Sequence, residues 1–152
     1  MKLRLILGDQ LNLDHSWYKV KDQNTVYVIY ELRQETDNIL HHIQKIVAFF
    51  SAMRAFANAL KSQGHQVMYF DIGNEISKNS LSENIKNLIN EKSISKFEYQ
   101  LPDEYRLDDQ LKTLCGEIDI PSQSFDSEHF LTEREDLKSF FEGKKQLIME
   151  FF

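Results

Sequence analysis

Short runs of aliphatic and aromatic residues recur along the chain and predict buried strands. The runs lie at residues 3–7, 26–30, 67–70 and 97–99. A fifth segment, 118–125, contains Pro121, which restricts it to a strand end or an edge strand. Strands with little polar alternation are typical of parallel sheets, in which both faces are buried.

Between these runs, apolar residues recur every three or four positions and predict helices. The longest apolar stripe consists of Ile39, Ile43, Ile46, Phe50, Met53, Ala57 and Leu60. Thr36 or Asp37 is suited to cap the start of this helix, and Gly64 is suited to end it. Further helices are predicted at residues 82–91, 104–115 and 133–141.

The order of these elements predicts an α/β fold. Alternating strands and helices build a Rossmann-like, doubly wound and mostly parallel sheet of about five strands, with helices on both faces. The 152 residues suit one domain with its own core. The chain ends on Glu-Phe-Phe, and we expect the natural protein to continue, because apolar side chains at a frayed terminus make poor core material.

Composition argues against several classes of function. The net charge of −6 and the pI of about 5.4 disfavour DNA as this segment's own partner. Cys115 is the only cysteine, whereas an iron–sulfur cluster needs about four cysteine ligands. No apolar run reaches the length that spans a membrane, so we expect a soluble, cytoplasmic protein without a membrane partner.

The chain lacks the motifs of the common catalytic and metal sites. It contains no G-x-S-x-G, no H-E-x-x-H and no C-x-x-C, and neither a dinucleotide fingerprint nor a P-loop. His41 and His42 are adjacent, so on a helix they point about 100° apart and do not suit one metal ion. We therefore expect no catalytic residue and no metal site in this chain.

Polar residues follow the first two predicted strands. Gly8-Asp9-Gln10 comes after the first strand and Glu35 after the second. Ligands of open parallel sheets bind beyond the carboxyl ends of strands, so these residues are candidates to bind a ring edge or a polyhydroxyl chain. The alternative is that they only form a turn and cap the long helix.

Several stretches together resemble the N-terminal domain of deoxyribodipyrimidine photolyase-related proteins. This is the iron–sulfur bacterial cryptochrome and photolyase group, which includes prokaryotic (6-4) photolyases. The stretches lie at residues 5–11, 33–35, 41–46, 50–56, 97–106 and 145–152. The resemblance covers essentially the whole chain, 1–152.

The resemblance implies an antenna domain that holds a ribolumazine-type chromophore. The implied chromophore-binding residues are Gly8, Asp9, Gln10, Glu35, Asn38 and Phe49. Asp9 and Glu35 would accept hydrogen bonds and Phe49 would wall the ring, whereas Asn38 departs from the apolar residue that a lumazine favours.

The resemblance also implies a longer parent, a flavoprotein that uses light to repair UV-damaged DNA. FAD, the iron–sulfur cluster and the DNA-lesion site would belong to a helical C-terminal domain that is absent from this chain. That domain would be this domain's partner, and damaged DNA would be bound only through it. The alternative is a stand-alone Rossmann-like module for a small ligand or an interaction, without photochemistry.

Overall fold

The fold is taken from a computed structural model that describes residues 1–33, 41–78, 80–132 and 134–143. Within these ranges, five parallel strands alternate with four α-helices. The elements are β1 (Lys2–Leu5), β2 (Thr25–Tyr30), α1 (Ile43–Ser62), β3 (Gln66–Phe70), α2 (Leu81–Lys92), β4 (Lys96–Gln100), α3 (Tyr105–Glu117), β5 (Ser122–Phe125) and α4 (Arg134–Phe141). The predicted α/β class is confirmed.

The strand order across the sheet is β3-β2-β1-β4-β5. The chain passes from β1 to β3 in one direction and then returns to the other side of β1 for β4 and β5. The order therefore reverses between β1 and β4, which is where ligand crevices form in such sheets. β5 lies at the edge and starts directly after Pro121, as predicted.

Helices pack on both faces of the sheet. On one face, α2 and α3 share an apolar cluster with Leu3, Leu5 and Val28. On the other face, α1 packs against Ile6 and Ile29. None of the helices in the described ranges has the length and apolar content that a membrane span requires.

The ends of α1 are set by one histidine and one glycine. His42 is the N-cap, and its Nδ1 accepts a hydrogen bond from the backbone N–H of Gln44 at 3.2 Å. The prediction that Thr36 or Asp37 caps this helix is therefore wrong, because the helix begins at Ile43. Gly64 ends it as predicted, with a φ of 89° that favours glycine.

The predicted apolar stripe of α1 is buried only along its later turns. The buried members are Phe50, Met53, Ala57 and Leu60. Ile46 is half-buried, and Ile43 is 65% exposed, in contrast to the prediction. The apolar cluster beneath α1 starts at Ile46, so the first turn has no partner surface among the described residues. Ile39 lies outside the described residues.

The connection from β1 to β2 covers the part of the sheet beside α1. It is described throughout and contains a 3-10 turn, Ser16–Tyr18, but no α-helix. The guanidinium of Arg4 lies 4.7 Å from the centroid of the Trp17 ring. Its Nε donates to Oε2 of Glu98 at 2.8 Å, and its Nη1 donates to the Tyr27 hydroxyl at 3.1 Å. A paired charge is thus held under an aromatic cover.

Candidate ligand crevice at the carboxyl edge of the sheet

Gly8 follows β1 and lies against α1. A Cβ atom at Gly8 would be 2.3 Å from Cζ of Phe49 and 3.0 Å from Sδ of Met53. The missing side chain therefore lets the Phe49 ring pack on the backbone of the first turn. The structure brings these two predicted site residues together, but on this side Gly8 makes room for Phe49 rather than for a ligand.

Phe49 is itself only half-buried. Its neighbour one turn earlier on the helix, Ile46, is half-buried as well. Part of an aromatic ring is therefore accessible close to the turn after β1. Aromatic side chains of this kind favour offset or edge contacts with another ring.

Gln10 holds the ends of β1 and β4 together. Its side chain is 1% exposed, and its Oε1 accepts a hydrogen bond from the Leu7 N–H at 3.1 Å. Its Nε2 donates to the carbonyl oxygens of Gln100 at 3.2 Å and Leu101 at 3.4 Å. Both ends of the amide are thus bonded within the fold, and a direct contact with a ligand stays a prediction.

Asp9 lies between the buried residues Gly8 and Gln10 and is itself exposed. Its pKa is raised above the ordinary value, mainly by partial desolvation and further by the carboxylates of Asp103 and Glu104. Bonding from its own backbone and the nearby His129 act in the opposite direction. We call Asp9, Asp103, Glu104 and His129 the carboxyl-edge cluster; within it, Nδ1 of His129 lies 3.2 Å from Oδ2 of Asp103.

Sequence reasoning did not identify the other members of this cluster as site residues. Asp103 and Glu104 follow the fourth strand after Leu101 and Pro102, and this position was a usable signal. The sequence does not show that β4 lies beside β1, because this depends on the strand order. His129 gave no signal, because it reaches the cluster through an irregular segment after β5.

Two predicted residues, Glu35 and Asn38, lie outside the described residues. The described acid after β2 is Glu31, which is fully buried. Arg54 binds it through two nitrogens at 2.6 and 2.8 Å, and the Ile72 N–H and the Tyr69 hydroxyl also donate to it. Burial is the largest influence on its pKa and raises it, but these bonds together outweigh burial and lower the pKa.

The described part of the chain contains no metal-binding cluster. There, no three His, Cys, Asp or Glu side chains come together to hold a metal ion. Cys115 is half-buried and packs against the cluster beneath α2 and α3. The carboxyl edge offers an aromatic ring and carboxylate acceptors.

Comparisons with known proteins agree with the architecture. The family model for deoxyribodipyrimidine photo-lyase-related protein matches residues 4–152. The chain is also 31% identical over 153 residues to a (6-4) photolyase from Agrobacterium fabrum. That alignment covers 99% of this chain and 30% of the relative, so the chain spans about a third of the relative's length.

Proposed function

The chain belongs to the deoxyribodipyrimidine photo-lyase-related family, and from this premise we propose that it is the antenna domain of a light-driven DNA-repair flavoprotein. In this proposal the domain binds a ribolumazine-type chromophore at the carboxyl edge of its sheet. The bound pigment absorbs light and passes the excitation to FAD held elsewhere in a longer, cytoplasmic protein. The FAD domain would carry the iron–sulfur cluster and the contacts with damaged DNA.

One observation carries this proposal: the half-buried Phe49 ring lies on Gly8, and the next residue along the chain, Asp9, is exposed. A partly accessible aromatic ring and an exposed acceptor fit a fused ring that bears N–H groups and hydroxyls. The site also lies beside the point where the strand order reverses. The residues present therefore fit the group that the family implies.

The protein residues would divide the work of binding. Phe49 would stack on the ring, and Asp9 and Glu35 would accept hydrogen bonds from its N–H or hydroxyl groups. Asn38 would offer an amide to the same ligand. Gln10 would act through the backbone, because its bonds hold the turn that presents Asp9.

Binding of a ribityl lumazine to the purified chain tests the proposal through fluorescence anisotropy. We expect Asp9→Ala to weaken binding about tenfold or more, since a hydrogen bond to a charged group contributes about 1.5–3 kcal/mol. Phe49→Leu removes the aromatic wall but keeps an apolar side chain on Gly8, and it should weaken binding too. Asp119→Ala is the control. Asp119 is exposed and precedes β5, so it lies at the amino ends of the strands, opposite to the site. Unchanged affinity in both site variants would refute the assignment.

A second candidate is a stand-alone interaction module without photochemistry. It is favoured by exposed large apolar side chains near the same edge, where Tyr105 is 79% exposed and Phe130 is 62% exposed. The absorbance spectrum of the natural gene product discriminates the two. A near-ultraviolet band beyond the protein's own absorbance supports the antenna, and its absence supports the module.

A further inference from the structure

Phosphate groups bound by nucleotide-binding α/β domains usually lie at the first turn of the sheet, on backbone N–H groups and the positive end of the following helix. In this chain that turn carries Asp9, and the connection to β2 contains only the 3-10 turn Ser16–Tyr18. The turn that would have to donate hydrogen bonds to a phosphate therefore carries a carboxylate instead.

α3 begins at this edge next to Asp103 and Glu104, and its positive end is already offset. Its N-cap is Glu104, and Asp108 lies in its first turn. Carboxylates at these positions complement the helix dipole. The N-terminus of α3 is thus a poor site for a further anion.

The basic side chains of this region are engaged by carboxylates. The pairs are Arg106 with Glu104, Lys112 with Asp108, and His129 with Asp103. With Asp9, the region holds four carboxylates against two permanently charged cations and one histidine. The charge balance around Asp9, Asp103 and Glu104 is therefore negative.

The pKa of Asp9 agrees with this negative charge balance. Its pKa is raised, first by desolvation and then by Asp103 and Glu104, and these effects outweigh the backbone and His129. A second negative group placed beside Asp9 would meet the same desolvation and repulsion.

We infer that the crevice accepts a ring ligand with an uncharged hydroxyl-bearing chain and rejects the phosphorylated form of that ligand, with Asp103 and Glu104 setting the preference. This inference rests on the proposed function, because it concerns the ligand class of the same crevice. It identifies two specificity residues that follow β4, on the other side of the point where the strand order reverses from the turn after β1.

Riboflavin and flavin mononucleotide test the inference, because they share the ring and the ribityl chain and differ in one terminal phosphate. The dissociation constants of both are measured on the purified chain by flavin fluorescence. We expect riboflavin to bind at least about tenfold more tightly than flavin mononucleotide. Added salt should reduce the ratio of the two dissociation constants, because it screens charge repulsion near the surface. In Asp103→Asn with Glu104→Gln, flavin mononucleotide should gain affinity as Arg106 and His129 are released, while riboflavin changes little.

The double variant Glu117→Gln with Asp119→Asn is the matched control. It also removes two negative charges, but Glu117 ends α3, about 18 Å along the helix from Tyr105 at 1.5 Å per residue. This control should keep the wild-type ratio.

Equal binding of the two flavins by wild-type protein would overturn the inference and leave the proposed function standing. A flavin preference that the site double variant keeps would also overturn it, and circular dichroism of each variant verifies that the fold is retained. If neither flavin nor a ribityl lumazine binds, the proposed function itself fails.

Discussion

At the scale of single residues, glycine acts here in two opposite ways. Gly8 has no side chain because the Phe49 ring takes its place, whereas a Cβ atom at Gly116 would meet nothing within 4 Å. Gly116 lies in the last turn of α3, where glycine only weakens the helix. The same substitution at the two positions should therefore change stability in opposite directions.

We expect Gly8→Ala to lower the free energy of unfolding by about 1–3 kcal/mol, because the new methyl group displaces a packed ring. Gly116→Ala should raise it by up to about 1 kcal/mol, through helix propensity. Urea denaturation measures both. Equal stability of Gly8→Ala and the wild type would mean that the Phe49 ring moves freely away from the first turn.

His65 makes stability depend on pH. It is 8% exposed, lies edge-on to the rings of Tyr18 and Tyr27, and its Nε2 has no hydrogen-bond partner among the described residues. Burial is the main cause that lowers its pKa, although a backbone hydrogen bond with Tyr18 opposes this. The folded state therefore favours the neutral ring.

Because the pKa of His65 is lower in the folded state, its contribution is complete above the unfolded value of about 6.5 and is lost as pH falls below it. We expect His65→Phe to reduce the loss of unfolding free energy between pH 7.5 and 5.5, as measured by denaturation at each pH. Parallel pH profiles of the two proteins would contradict this.

At the scale of elements, periodicity predicted which segments are helical but not which turns are covered. In α2, which lies where a helix was predicted at 82–91, the apolar residues Ile85, Leu88 and Ile89 are buried. Ile43 has the right spacing and is still exposed, because burial depends on where the sheet ends beneath α1. The spacing of apolar residues predicts which face of a helix is buried. It does not predict how far along the helix that face is covered, because this depends on the tertiary structure.

α2 shows how local sequence sets a helix start. The Ser80 hydroxyl accepts a hydrogen bond from the Glu83 N–H at 3.3 Å, and the Glu83 carboxylate accepts one from the Ser80 N–H at 2.9 Å. We expect Ser80→Ala to cost about 1 kcal/mol of unfolding free energy, since it removes this capping box. Ser122→Ala, at an exposed position of edge strand β5, should stay within about 0.5 kcal/mol. Thermal denaturation of both variants checks the contrast.

At the scale of the whole molecule, the candidate site depends on the contact between two halves of the sheet. β1 starts one half and β4 starts the other, and they are neighbours only in the folded chain. Gly8 and Asp9 could be proposed from the sequence because they follow a recognisable strand, whereas Phe49 was implied by the family resemblance. Asp103 and His129 could not, because strand order and an irregular segment bring them to Asp9.

Gln10 is one side chain that joins these halves beyond the ends of the strands. We expect Gln10→Leu to cost about 2–3 kcal/mol, because it leaves buried backbone groups without partners. Hydrogen exchange of the Leu7 amide should then accelerate by about two orders of magnitude. Gln123→Leu, on the exposed edge strand, should leave that amide unchanged. Protection of Leu7 that survives in Gln10→Leu would show that the strands alone hold the edge.

Trp17 is the only tryptophan of the chain; it is 4% exposed and its ring covers the guanidinium of Arg4. All indole fluorescence therefore originates from one position above β1, in a cover formed by the first connection. A near-ultraviolet pigment bound at the end of the same strand would quench this emission by resonance energy transfer. The domain thus contains its own optical probe of occupancy, and loading can be followed without any attached label.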